Sequence, residues 1–151
     1  MYLKNYLSQF NDKKIRIFVD MDGVIADYIF DAPNDYHKKR PLYDSIKKLE
    51  EISRQDNIEL FIFSSSRYNE GIEQKNKWLD EYAPFFKKEN RIILSREAND
   101  MIKSSVLKAN FFTNYNDDSI LIVIDDDPRV LKEIAGLNKN IILLKDTVLV
   151  D

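Results

Sequence analysis

The chain has 151 residues, 44% of them hydrophobic and 32% charged, and its formal net charge is −3 at pH 7. This length predicts a single domain over 1–151, and the mild negative charge disfavours a dedicated duplex-binding protein, which is normally basic. Because the chain has no cysteine, no signal-peptide pattern and no apolar run long enough for a membrane span, we expect no disulfides, no membrane partner and a cytoplasmic location.

Five short apolar runs follow residues 1–14, which are predicted to form an N-terminal extension. The runs cover 15–19, 58–63, 91–94, 120–124 and 140–144. Their apolar residues are continuous rather than alternating, a pattern typical of strands that are covered on both faces of a sheet. Each run is therefore predicted to be a strand between two helical layers.

Helical patterns lie in the four connections between these runs. In chain order the first three are Leu42, Ile46, Leu49 and Ile52, then Ile72, Leu79 and Tyr82, and then Ala98, Met101, Ile102 and Ser105. The last helix has the clearest ends, since Asp127 is a good N-cap residue, Pro128 suits the first turn and Gly136 suits the stop. This alternation predicts a three-layer α/β/α sandwich with a mostly parallel five-stranded sheet and right-handed crossovers.

Polar side chains directly follow three of the predicted strands. They are Asp20 and Asp22 after the first, Ser64, Ser65 and Ser66 after the second, and Asp125, Asp126 and Asp127 after the fourth. The carboxyl ends of parallel strands share one edge of a sheet, where ligands of such folds bind, so these groups are expected to converge. Several carboxylates in one cleft would repel each other, and a hard divalent cation relieves that repulsion. The sequence therefore predicts a Mg²⁺ site.

The order of these groups resembles the haloacid dehalogenase (HAD) phosphohydrolases over roughly residues 15–142. The segment DMDGV at 20–24 is similar to the first motif of that family, and a serine, a lysine and an acid pair follow in the family's order. The resemblance implies a HAD-like Rossmannoid fold and a Mg²⁺-dependent phosphatase that forms an aspartyl-phosphate intermediate.

Two groups within the family share further segments with this chain. DMDGVIADY (20–28), the Lys-x-x-Trp segment at 75–78 and RIILSR (91–96) are most similar to the 5′(3′)-deoxyribonucleotidases. A weaker similarity to polynucleotide 3′-phosphatase domains is carried by FSSSR (63–67) and VIDDDPRV (123–130). The resemblance thus favours a nucleotide as the substrate and leaves a nucleic-acid end as the alternative.

The resemblance also implies a role for each motif residue. Asp20 would be the nucleophile, and Asp22 the general acid for the leaving group and then the base for water. The implied metal ligands are Asp20, the backbone carbonyl of Asp22, and Asp126, with Asp125 as the partner of Asp126. Ser64 would hold the phosphoryl group through its hydroxyl. These roles suit phosphoryl transfer, which needs positioning and charge neutralisation.

The phosphate-binding residues have competitors nearby in the sequence. Ser64 is preferred because it directly follows the strand, and Lys103 is preferred as the family's lysine because it lies in the predicted helix after the third strand. The open alternatives are Ser65 and Ser66 for the hydroxyl, with Ser65 retained as a second phosphate contact, and Lys108 and Lys75 for the lysine.

Four further features surround the predicted site. The nucleotidase comparison places Tyr28 near the substrate, and the polynucleotide comparison makes Arg67 a phosphate ligand. The basic run at 37–40 is predicted to be a solvated loop, with contact to a phosphodiester backbone as the alternative. Trp78 lies at a helical position and is predicted to belong to the core.

Few residues remain between the motifs for a cap domain. A helix and a strand already occupy 42–63, which leaves 24–41 for a short flap. Such a capless member of the family implies a macromolecular substrate or closure by oligomerisation, and the oligomeric state stays open. We predict a Mg²⁺-dependent phosphomonoesterase that acts on a nucleotide. The alternatives are a polynucleotide 3′-phosphatase and, from another class, a non-catalytic binding domain with this fold.

Overall fold

A parallel sheet forms the centre of the computed structural model, which describes residues 2–29 and 35–150. Its five strands are β1 (Ile15–Val19), β2 (Ile58–Ser66), β3 (Arg91–Ser95), β4 (Ile120–Asp125) and β5 (Ile141–Lys145), in the order β3-β2-β1-β4-β5. All four pairings are parallel. Every predicted run is a strand, so the predicted fold class is confirmed. β2 continues through Ser66, so the serines expected after this strand are its last residues.

Five α-helices are present in the described part of the chain. They are α1 (Tyr2–Leu7), α2 (Tyr43–Ser53), α3 (Glu70–Tyr82), α4 (Ser104–Thr113) and α5 (Pro128–Ala135). The ends of α5 follow the sequence signals, because the Asp127 side chain accepts a hydrogen bond from the Arg129 amide at 2.9 Å and Gly136 follows the last turn. Each helix in residues 2–29 and 35–150 is too short or too polar to cross a lipid bilayer.

The helix predicted over Ala98 to Ser105 is wrong as far as Lys103. A 3₁₀ helix (Glu97–Asn99) is followed by Asp100 and Met101, both with φ of 55°, and α4 begins only at Ser104. The Arg96 side chain stabilises the break, because its Nε donates to the Ile102 carbonyl at 2.8 Å and its Nη2 to the Met101 carbonyl at 3.1 Å. These bonds compete with the helical ladder for the same carbonyls.

Two hydrophobic clusters cover the two faces of the sheet. Ile17 and Val19 of β1 belong to the cluster that includes residues of α1, α2 and α3, whereas Phe18 belongs to the cluster under α4 and α5. Phe18 packs edge-on against Phe63 and Phe112 at centroid distances of 5.9 and 5.1 Å. Burial on both faces explains why the strand sequences are continuously apolar.

The predicted N-terminal extension packs against the core. Leu3 and Leu7 of α1 are fully buried in the first cluster, and α1 lies against the 3₁₀ helix Asp146–Leu149. Since α1 is a short helix of six residues, its stability must come from this packing rather than from helix propensity.

A Leu7→Ala variant is expected to lower the free energy of unfolding by about 2–5 kcal/mol, because the truncation opens a cavity among buried side chains. Urea denaturation monitored by circular dichroism measures the loss. Tyr2→Ala is the matched control, since Tyr2 lies on the same helix with 69% of its surface exposed. An equal, small effect of both substitutions would show that α1 does not contribute to the core.

Candidate active site

Three carboxylates meet where β1 and β4 end. Asp20, Asp125 and Asp126 each place one oxygen within 4.8 Å of the others. The sheet register explains the meeting, because Val19 lies opposite Ile124 and the Asp20 amide donates to the Ile124 carbonyl at 3.0 Å. Asp20 and Asp125 are buried, and Asp126 is partly exposed. The structure thus brings together the acids that the sequence placed at one edge of the sheet.

The pKa values of Asp20 and Asp126 reflect the crowding of carboxylates at this edge. Burial raises the pKa of Asp20 well above its ordinary value, and repulsion from Asp125 and Asp22 adds to the rise, although Lys108 opposes it. Burial and repulsion from Asp125 raise the pKa of Asp126 to about 6. Negative charge at this edge of the sheet is therefore unfavourable without a nearby cation.

The donor set at this edge fits Mg²⁺. All three groups are carboxylates, which are the oxygen ligands that Mg²⁺ prefers, and one of them stays open to the cleft. Gly23 makes room for Asp126, because a Cβ atom at Gly23 would lie 2.1 Å from Asp126 Oδ2, and its φ of +78° also favours glycine. The Asp22 carboxylate is not part of this group, because it is held by two lysines.

Lys108 is the cation that the structure places among the acids. Its Nζ donates to Asp20 Oδ1 at 2.9 Å and to Asp125 Oδ2 at 2.8 Å, and its side chain is buried. Burial alone would lower the pKa of Lys108, but attraction to Asp20 and Asp125 outweighs it and leaves the pKa above its ordinary value. Lys103, the lysine preferred from the sequence, is instead exposed just before α4.

Ser64 and Lys75 form a second polar group beside the acids. Lys75, on α3, donates to Ser64 Oγ at 2.7 Å and to the Ser65 carbonyl at 2.6 Å. Burial lowers the pKa of Lys75 despite its attraction to Asp22 and Asp20. The Ser65 hydroxyl donates to Ser104 Oγ at 2.8 Å. The Lys-x-x-Trp segment was the one sequence feature that pointed to Lys75 as a site residue. It was weak evidence, because lysines are common on helix surfaces.

Two buried lysines hold the Asp22 carboxylate. Lys75 Nζ donates to Oδ2 at 3.3 Å, and Lys39 Nζ donates to Oδ1. Burial would raise the pKa of Asp22, but the attraction of Lys75 and Lys39 outweighs it, so the pKa lies below its ordinary value. Lys39 carried no local signal, since it is one of several adjacent basic residues.

The basic run at 37–40 is therefore not a uniform solvated loop. Lys39 is only 2% exposed, whereas its neighbours are exposed and paired with acids. Lys38 lies 3.1 Å from Asp35, and Arg40 lies 3.1 Å from Asp27. The alternative of a phosphodiester-binding patch built from this whole run does not fit, because one of its cations points into the protein.

Tyr28 and Arg67 lie in two adjoining depressions. Tyr28 lines the cleft that holds Asp20 and Asp126, and Arg67 lines the neighbouring pocket. Asp22 and Ser65 line both. Part of the flap predicted at 24–41 falls on 30–34, outside the described residues. The buried Trp78 confirms the expectation of a core position.

The family model described as 5′ nucleotidase, deoxy (pyrimidine), cytosolic type C protein matches residues 28–147. The chain belongs to this family. The match begins after the Asp20 and Asp22 motif, so the motif is a separate observation that agrees with it. The resemblance to the HAD-type phosphatases, read from the sequence, is thereby confirmed.

The fold is also similar to that of a solved structure. One chain of the Pnkp1/Rnl/Hen1 RNA repair complex superposes with a TM-score of 0.66 at 16% sequence identity, over 89% of this chain and 43% of that one. At this identity the similarity concerns the fold, and this chain spans less than half the length of its neighbour. The chain has no significant match among curated proteins.

Proposed function

We propose that this nucleotidase-family protein is a Mg²⁺-dependent phosphomonoesterase that works through an aspartyl-phosphate on Asp20 and acts on a nucleotide. The observation that supports this most strongly is the position of Asp20. It is buried at the end of β1, within 4.8 Å of carboxylate oxygens of Asp125 and Asp126, and paired with Lys108. An incoming phosphate dianion needs compensating positive charge at the nucleophile. Lys108 supplies one such charge, and the three carboxylates can hold a metal ion that supplies more.

The proposed reaction has two steps. In the first, an Asp20 carboxylate oxygen attacks phosphorus, the bond to the leaving oxygen breaks, and Asp22, which takes up a proton when the phosphate dianion binds beside it, gives that proton to the leaving oxygen. In the second, Asp22 removes a proton from water, the water oxygen attacks phosphorus, and inorganic phosphate leaves as the Asp20 carboxylate is restored. Asp22 lies between the two depressions and two positions from Asp20, which suits it for both proton transfers.

The metal ligands in this proposal are the carboxylates of Asp20 and Asp126 and the backbone carbonyl of Asp22, with Asp125 as the outer partner that also holds Lys108. Bound Mg²⁺ would neutralise the charge on the phosphoryl oxygens and the crowded acids. The raised pKa values of Asp20 and Asp126 support a cation at this position.

The phosphate contacts in this proposal follow the geometry. Lys108 takes the role that the sequence assigned to Lys103, because Lys108 contacts the nucleophile. Ser64, joined to Lys75, and the neighbouring Ser65 hold the phosphoryl oxygens. Tyr28 contacts the substrate from the side of the acid cleft.

We also propose a cytoplasmic location, which the description of the family as cytosolic supports.

One observation favours a nucleic-acid end as a second candidate substrate. The pocket beyond Asp22 is lined by Arg67 and by Tyr68, which is 40% exposed, and the Arg67 guanidinium carbon lies 5.6 Å from the Tyr68 ring centroid. A cation beside an exposed ring can hold a neighbouring phosphodiester and a stacked base. A mononucleotide can also use this pocket, so we keep a nucleotide as the proposed substrate.

The test is release of phosphate from nucleoside monophosphates, sugar phosphates, 3′-phosphorylated oligonucleotides and p-nitrophenyl phosphate, with Mg²⁺ and with EDTA. We expect the highest kcat/KM on nucleoside monophosphates, loss of activity in EDTA and recovery on adding excess Mg²⁺, because the metal balances the acid cluster. Faster hydrolysis of the oligonucleotides would favour the second candidate. Undiminished hydrolysis in EDTA, or none on any substrate with Mg²⁺, would contradict the proposal.

A further inference from the structure

Lys39 is a buried cation in an exposed basic run. Its side chain is 1% exposed, whereas the side chains of Lys38 and Arg40 are 57% and 85% exposed. Burying an ammonium group is costly unless opposite charge and polarisable groups compensate for the lost water. The burial of Lys39 therefore points to a specific set of partners.

The partners of Lys39 come from three segments. Its Nζ donates to Asp22 Oδ1 and lies 4.7 Å from the Tyr36 ring centroid and 5.3 Å from that of Tyr28. Such distances are typical of cation–π contacts. Its backbone carbonyl accepts a hydrogen bond from Trp78 Nε1 at 3.0 Å, and Trp78 is a buried residue of α3. Both ends of this residue are thus held in place.

These contacts decide how the Asp22 carboxylate is oriented. Each of its oxygens has its own lysine, with Lys75 on Oδ2 and Lys39 on Oδ1. Lys75 comes from α3 and also holds Ser64, so it is tied to a helix and a strand that frame the site. Lys39 comes from the flap. Either lysine alone restrains one oxygen of the carboxylate, and the two together restrain both oxygens.

We propose that Lys39 is a positioning residue, which the short flap supplies to orient Asp22 for proton transfer to the leaving group. The inference rests on the proposed function of Asp22 as the acid and base. Asp22 keeps 32% of its side chain exposed, so it can still meet a substrate while both lysines hold it. Proton transfer requires the donor oxygen within hydrogen-bonding distance of the leaving oxygen, which makes this orientation matter for the rate.

The test compares the kcat/KM of Lys39→Met and wild type on two substrates. A nucleoside monophosphate has a poor alkoxide leaving group that needs the proton, and p-nitrophenyl phosphate has a good one that leaves without it. We expect a loss of about 10²-fold on the nucleotide, in the range of general acid catalysis, and less than about 3-fold on the aryl phosphate. Lys38→Met is the matched control, since Lys38 is the exposed neighbour, and we expect both rates to stay unchanged.

Each other outcome overturns the role of Lys39. An equal loss on both substrates would show a general structural effect, and no loss on either would show that Lys39 does not act on Asp22. Wild-type protein inactive on both would overturn the proposed function itself. If Lys39→Met fails to fold, Trp78→Phe removes the hydrogen bond to the Lys39 carbonyl together with part of the packing of the indole against Tyr36 and Tyr82. The readout is then the difference between the two substrates, and we expect the loss on the nucleotide to exceed that on the aryl phosphate by about 3–10-fold.

Discussion

An Asp20→Asn variant is expected to lose at least about 10⁴-fold in kcat/KM while it remains folded, since a carboxamide cannot form the acyl phosphate. The fold should survive because asparagine has nearly the same shape and still offers an oxygen to Lys108, whose Nζ lies 2.9 Å from Asp20 Oδ1. The substitution also removes one charge from a crowded acid group. Hydrolysis of p-nitrophenyl phosphate with Mg²⁺ measures the loss, and circular dichroism checks the fold.

Asp127→Asn is the matched control for this variant. Asp127 lines the same cleft, but its side chain caps α5 by accepting from the Arg129 amide at 2.9 Å, and asparagine is an equally good cap. We expect its kcat/KM to stay within about 3-fold of wild type, as for a surface change outside the chemistry. Near-normal activity of Asp20→Asn would refute the nucleophile assignment. So would the absence of phosphate on Asp20 when wild-type protein is quenched with acid during turnover, since an acyl phosphate survives such a quench.

A Lys108→Met variant is expected to lose both stability and activity. In the wild-type protein Lys108 Nζ pairs with Asp20 and Asp125, which are both buried, so the substitution leaves two carboxylates without their cation. Breaking a buried ion pair on one side costs about 3–5 kcal/mol of unfolding free energy. We also expect a drop in kcat/KM of at least about 10²-fold, because a cation facing the nucleophile stabilises the charged transition state.

The comparison with Lys103→Met decides between the two lysines. Lys103 is exposed, so its substitution should change the free energy of unfolding by less than about 0.5 kcal/mol. Urea denaturation in EDTA measures stability without the metal, and initial rates with Mg²⁺ measure activity. A larger loss of activity in Lys103→Met than in Lys108→Met would restore the assignment made from the sequence.

The strands and the acids at their ends could be predicted because the controlling interactions are local or follow from the parallel sheet. Burial on both faces makes each strand continuously apolar, as in Ile15–Val19. In a parallel sheet the carboxyl ends of neighbouring strands meet, so Asp20 had to lie near Asp125 and Asp126 once β1 and β4 were adjacent.

The lysines could not be assigned in this way, and one error caused another. The pattern of Ala98 to Ser105 suggested a helix that would have included Lys103, but the Arg96 side chain holds the carbonyls of Met101 and Ile102. The real helix starts at Ser104 and carries Lys108 to the acids. A side chain that captures backbone carbonyls leaves no trace in hydrophobic spacing.

The five strands and helices α2 to α5 in chain order, the edge of the sheet that carries the acids and the family resemblance of the Asp20 motif could all be read from the amino-acid sequence. The pairing of lysines with those acids emerged only from the folded chain, in which Lys108 contacts Asp20, and Lys75 and Lys39 contact Asp22. A lysine side chain can either extend into solvent or form a buried ion pair, and its local sequence does not distinguish the two. Which of the two it adopts depends on segments distant in the chain that pack around it.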